Sequence, residues 1–162
     1  MRMPLVVGNW KMHKTVAEAR ALAAAVRGEL APAPGVDVVL APPFTALEVV
    51  AEAVRGTWIG VAAQNMHWAD SGAVTGEVSP AMVRELAGFV ILGHSERRAL
   101  FGETDQAVNR KVHAALGWGL VPIVCVGETA AERDTGQTDA VVQRQPVAPG
   151  IAEELSPFDA RG

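Results

Sequence analysis

Five short apolar runs, each rich in β-branched residues, punctuate the chain at positions 5–10, 36–41, 57–63, 89–93 and 121–126. Most are continuous rather than alternating, the pattern of parallel strands covered on both faces; a strand with one solvated face would carry a polar residue at every second place. A spacing of about twenty to thirty residues leaves room for a crossover helix each time.

The intervening segments carry helix signals. Thr15 and Glu18 form a capping-box pair ahead of Val16, Ala19, Ala23, Val26 and Leu30 at helical spacing, with Gly35 past the end. Ser79 followed by Pro80 reads as an N-cap and first helical position, leading into Met82, Val83 and Leu86. Thr104 caps a predicted helix that carries Val108, Val112 and Leu116 and stops at Gly117, and Thr129 with Glu132 repeats the capping-box pattern. A strand–helix order repeated five times selects α/β architecture, either a doubly wound open sheet or part of a (β/α)8 barrel.

A short polar loop follows four of the strands: "NWKMH", "QNMHW", "GHSERR" and "GETAAER". In both architectures the C-terminal ends of parallel strands face one side, so these loops are expected to meet around one cleft. Within them, Asn9 and Lys11 lie two apart at a strand end and are expected to point to the same side. There Lys11 offers a compact positive charge for a phosphate or a developing oxyanion, or is simply a solvated loop residue.

The stretch "GFVILGHSERRALFGETD" changes from apolar to polar most abruptly. Ser95 is the expected N-cap of a helical turn starting at Glu96. His94 beside it would feel the positive end of the helix dipole, which disfavours imidazolium and suits a neutral hydrogen-bond donor to a carbonyl. A structural His at a strand end, and a loop ion-pair network through Glu96, Arg97 and Arg98, are the plain alternatives.

The 162 residues are 49% hydrophobic with a formal charge of −4 and no run of Lys or Arg, which argues against a nucleic-acid or anionic-membrane surface. A single Cys, Cys125, lies in the apolar run "LVPIVCVG", so no intrachain disulfide forms and a buried structural thiol in a reducing, cytoplasmic setting is expected. No targeting segment or membrane span is expected in "MRMPLVVGNWKMH". His67 and His113 share no ligand spacing with another His, Cys or carboxylate, so no metal site is expected, and no Walker or dinucleotide glycine pattern occurs.

Taken in order, "GNWKMHK", "APPFTAL", "AAQNMHW", "SGAVTGEVSPAMV", "VILGHSERRALFGETD" and "PIVCVGET" resemble the triosephosphate isomerase family. The resemblance implies a TIM barrel, incomplete here, and a cofactor-free isomerase of glycolysis and gluconeogenesis that interconverts dihydroxyacetone phosphate and D-glyceraldehyde 3-phosphate through an enediol. It implies that Asn9 and Lys11 bind substrate, that Lys11 stabilises the enediolate, and that His94 polarises the carbonyl. A neutral His at a helix N-terminus is an established property of that family, which the resemblance implies for His94. Ser95, Glu96 and Cys125 are implied as support for these groups. Thr75, in the protruding loop 72–77, resembles the family residue that enters the neighbouring site of a homodimer.

A (β/α)8 barrel has eight strands in roughly 250 residues, whereas five strands are read here within one partial barrel domain spanning 1–162. The family's glutamate base follows the sixth strand in an "EPVW" context that this sequence lacks. Pro146, Pro149 and Pro157 make 146–162 an irregular tail leading toward the absent strand, with room for a short helix over 151–155. The expectation is a truncated family member whose 162-residue chain alone is inactive. Two alternatives stand beside it: a non-catalytic half-barrel that pairs with a complementary chain or self-associates through its edges, and an open-sheet phosphosugar binder.

Overall fold

The computed structural model describes residues 3–145; the irregular tail and the short helix expected after Gln145 lie outside the described residues. The element order is β1 (Leu5–Asn9), α1 (Val16–Glu29), β2 (Asp37–Ala41), a 3-10 turn at Phe44–Ala46, α2 (Leu47–Val54), β3 (Ile59–Ala63), α3 (Pro80–Leu86), β4 (Phe89–Leu92), α4 (Ser95–Phe101), α5 (Asp105–Gly117), β5 (Val121–Val124), α6 (Ala130–Asp134) and α7 (Thr138–Arg144). All five predicted strands are present, each shorter than its apolar run by one or two residues.

Helix starts follow the predicted chemistry. The Glu18 carboxylate accepts the Thr15 backbone N–H and hydroxyl, both at 2.8 Å, and Glu132 does the same for Thr129 at 2.8 and 2.9 Å. The Ser79 hydroxyl accepts the Met82 N–H at 3.3 Å and Thr104 accepts that of Ala107 at 3.1 Å. Each such cap is worth roughly 1 kcal/mol, because it satisfies a donor that no helical turn can reach.

The strands pair in parallel in the order β1-β2-β3-β4-β5, with Leu5 opposite Asp37, Val38 opposite Ile59, Ala62 opposite Phe89 and Phe89 opposite Val121. This order separates the two architectures. A doubly wound sheet reverses direction from its middle strand, whereas an order that follows the chain is that of a barrel wall. Over the described residues the chain is therefore an incomplete TIM barrel of five parallel strands.

Both faces of this wall are apolar, as the continuous runs require. Toward the helices, Leu40, Val61, Val90 and Leu92 pack with Val50, Val83 and Val112. On the other face Val39, Ala41, Ala62, Phe89 and Ile91 form a second cluster joined by Val7, Val121 and Ile123. The Phe89 ring lies against Gly60, where a Cβ would stand 2.9 Å from its Cε2. That close approach is why a glycine interrupts an otherwise β-branched strand. No helix among the described residues is long and apolar enough to cross a membrane.

Candidate active site at the strand ends

β1 ends at Asn9, and the chain then turns. The Asn9 Oδ1 accepts the Lys11 N–H at 3.0 Å, an Asx-type turn, and Lys11 adopts φ 53°. A residue with a Cβ pays about 1–2 kcal/mol in this left-handed region, so the surroundings must hold it there. The Gln64 side chain, one residue past β3, donates to the Lys11 carbonyl at 3.0 Å and to the Ala41 carbonyl at 2.8 Å. Asn9 and Lys11 do line the same cleft, but a turn brings them there in place of the strand pleat.

β4 ends at Leu92, Gly93 turns with φ 71°, and His94 follows. Ser95 is not the N-cap of α4: it is the first helical residue, and His94 is the cap, its Nδ1 accepting the Glu96 N–H at 3.2 Å. The imidazole thus takes the capping role expected of the hydroxyl, since its Nδ1 lies within reach of the orphan N–H two residues on. Accepting there requires an Nδ1 without hydrogen, which leaves the proton of a neutral ring on Nε2.

Lys11, His94 and Glu96 meet in a cleft of about 270 Å³ whose lining also includes Asn9, Gln64 and Arg97. The Lys11 Nζ lies 2.6 Å from Glu96 Oε1, and Glu96 Oε2 is 3.6 Å from His94 Nδ1. The hydrogen bond from Lys11 holds the Glu96 carboxyl below the usual carboxylate range, outweighing an opposing desolvation, with the Lys11 charge adding to the lowering. Both partners are about half exposed, so the pair does more to orient the ammonium than to stabilise the fold. The Lys11 ammonium and the His94 imidazole thus border one concave site.

Ser95 and Cys125 line a second hollow of about 210 Å³ that also touches His94, Gly127 and Glu128. Cys125 is half-buried rather than buried, and burial pushes its thiol up, which suits a packing residue more than a nucleophile. Thr75 is exposed in the β3–α3 connection and does not line the cleft of its own chain. Among the described residues, no group of three His, Cys, Asp or Glu side chains is placed to hold a metal ion.

Beneath the cleft lies an ion network that the sequence reading missed. Lys111 and Glu103, 5% and 3% exposed, are directly paired. Lys111 also donates to Asn65 Oδ1 at 2.8 Å, and Arg97 approaches Glu103 Oε1 at 3.3 Å. Burial raises the Glu103 carboxyl, but the Lys111 hydrogen bond and the charges of Lys111 and Arg97 outweigh it and leave the group lowered. Arg97 and Asn65 reach the cleft lining, so the network ties α5 to the site floor. The one sequence signal was Lys111 itself, which falls three residues after Val108 and four before Ala115 on the buried face of α5.

The sequence model described as triosephosphate isomerase matches residues 4–156. Triosephosphate isomerase of Carboxydothermus hydrogenoformans is 54% identical over 153 residues, covering 94% of this chain and 61% of that protein. That of Herpetosiphon aurantiacus is 54% identical, covering 90% and 58%, and that of Symbiobacterium thermophilum 55%, covering 91% and 58%. The chain thus spans about three fifths of the length of the curated relatives it matches. With nearly all of its own length inside the match, and with five parallel strands in barrel order, this chain belongs to the triosephosphate isomerase family.

Proposed function

We propose that the cleft is the electrophilic side of an isomerase site that interconverts dihydroxyacetone phosphate and D-glyceraldehyde 3-phosphate through an enediol. The observation that carries this reading is the convergence of the Lys11 ammonium and the His94 imidazole, its Nδ1 occupied by the Glu96 N–H, on one cleft. When a base takes the proton from the carbon beside the carbonyl, the C–H electron pair forms the enediolate and charge collects on oxygen. An Nε2–H donor and an ammonium at that oxygen lower the barrier without themselves bonding to carbon. The hydroxyl proton passes from one enediolate oxygen to the other, and the same base returns the carbon-derived proton to the neighbouring carbon. The carbonyl is left on the first carbon and the hydroxyl on the second.

Among the described residues Glu96 is the one carboxylate in the cleft lining, and it is a poor choice for that base. Its oxygen is engaged by Lys11 and its carboxyl is held low, which weakens its pull on a proton. In the family the base follows a sixth strand, so the 162-residue polypeptide by itself is expected to show no turnover.

The same reading carries a glycolytic role, a cytoplasmic setting and a homodimer. Support for the dimer comes from the exposed Thr75 loop and from Met12 and Phe101, which line the cleft while 94% and 70% exposed. A second reading, a half-barrel that pairs with a complementary chain or with itself, is favoured by the edge strand β1. It pairs only with β2 among the described residues, and Leu5 and Val6 are 37% and 56% exposed.

One preparation tests both readings. In a coupled isomerase assay the purified 162-residue polypeptide is expected to give no rate above background, and in sedimentation velocity it is expected to run as an associated species. Turnover comparable to a full-length relative would refute the missing base. A well-behaved monomer at all concentrations would remove the pairing reading.

A further inference from the structure

We infer that Gln64 is a positioning residue for Lys11: its side-chain amide clamps the Lys11 carbonyl to the end of β2 and so presents the ammonium to Glu96 and the cleft. This rests on the reading of Lys11 as the cation of the site. Gln64 follows Ala63, the last residue of β3, and its Nε2 donates to two carbonyls, that of Lys11 at 3.0 Å and that of Ala41 at 2.8 Å. An amide nitrogen carries two hydrogens, and both are used.

The Ala41 carbonyl also accepts the Trp10 N–H at 3.0 Å. The end of β2 therefore grips the β1 loop twice, once directly and once through Gln64. Left-handed φ at a residue with a Cβ persists only where its surroundings over-determine it. Lys11 has both backbone polar groups held, its N–H by Asn9 Oδ1 and its carbonyl by Gln64. A lysine stem is flexible, so the direction in which the ammonium leaves the backbone decides whether it meets Glu96 or solvent. Glutamine suits the task in a way its isosteres do not. Glutamate of the same length would face two carbonyl oxygens with no hydrogen to give, and methionine has no donor at all.

NMR of the 162-residue chain tests this with two readouts: the Lys11 Cα shift and HN–Hα coupling, which report φ, and the titration midpoint of the Glu96 carboxyl, which Lys11 and His94 face. Gln64→Glu and Gln64→Met are compared with Lys11→Met, which removes the ion pair outright. Both Gln64 variants are expected to move Lys11 out of the left-handed region and to raise the Glu96 midpoint toward its value in Lys11→Met, while Phe89 ring resonances report an intact wall. A left-handed Lys11 and an unmoved Glu96 midpoint in folded variants would overturn the inference. Should neither variant fold, the wild-type chain decides: the Gln64 side-chain NH2 is expected to exchange slowly with solvent, and exchange as fast as an exposed amide overturns the clamp. Neither readout uses turnover, so a failed clamp and a failed isomerase reading remain separate results.

Discussion

Lys111→Met is expected to remove about 3–5 kcal/mol of folding stability, the typical cost of stripping one partner from a buried ion pair. Against the roughly 5–15 kcal/mol that holds a domain together, this is a large fraction. Glu103 is 3% exposed, so water cannot replace the lost ammonium, and its Oε2 already lacks a partner among the described residues. Arg97 at 3.3 Å would remain, and Asn65 Oδ1 would lose its donor. Urea unfolding at pH 7 measures the effect as a lower midpoint at unchanged slope. Adding Glu103→Leu to Lys111→Met is expected to recover part of the loss, because the uncompensated charge goes with it. A single-variant loss below about 1 kcal/mol, the scale of an exposed pair, would show that the site is wet.

The same pair gives a pH dependence with a definite sign. The folded Glu103 carboxyl is lowered, so the folded chain binds its proton less readily than the unfolded chain does. Its contribution is therefore fully present above the unfolded carboxylate value of about 4.3 and is lost as pH falls through the lower folded value. Acid sensitivity in that window should shrink in the Lys111→Met, Glu103→Leu double variant.

Gly93→Ala is the second large effect. With φ at 71°, an added Cβ would lie 2.9 Å from Arg98 Nη2, 3.1 Å from Val108 Cγ1 and 3.2 Å from the Cys125 carbonyl oxygen. The left-handed backbone costs about 1–2 kcal/mol for alanine, and overpacking typically adds about 1–3 kcal/mol. Arg98 is poorly able to yield, since its Nε donates to the Gly93 carbonyl at 2.7 Å and its Nη1 pairs with Asp105. The backbone is then expected to move instead, and His94 with it, because His94 is the next residue. Thermal unfolding and the His94 imidazole proton shifts check this, with Gly88→Ala as the control. A Cβ at Gly88 meets nothing within 4 Å, so that variant should leave both measurements near wild type. Equal behaviour of the two variants would refute the crowding account.

Much of the fold was legible because it is written in local patterns. Continuous apolar runs marked β2 and β4 as strands buried on both faces, and Thr15, Ser79, Thr104 and Thr129 marked helix starts by chemistry that acts over three residues. The site was legible in part. His94, Glu96 and Lys11 sit in motifs conspicuous for their polarity after apolar strands, and the structure brings all three to one cleft. The cap at α4 was misassigned to Ser95, since hydroxyl preference is the stronger local rule and only the backbone path past Gly93 put the imidazole on the Glu96 N–H. Along the chain Gln64 is one polar residue in a polar loop, and Lys111 is one charge in "NRKVH". Gln64 meets Lys11, and Lys111 meets Asn65, across 53 and 46 residues, beyond the reach of any periodicity, while Glu103, eight residues before Lys111, is brought to it by the connection ahead of α5.

By itself the sequence determined the alternation of strands and helices, the helix caps, the two-sided burial of the wall and the family, because these rest on side-chain period and on motifs read along the chain. The tertiary structure alone decided the strand order that makes the wall a barrel segment, the turn that aims Lys11, the imidazole cap and the buried Lys111–Glu103 pair. The strand order and the Lys11 turn depend on which strand ends become neighbours, set by parallel register between segments far apart in the chain, whereas the imidazole cap and the Lys111–Glu103 pair join residues two and eight apart through the backbone path around them.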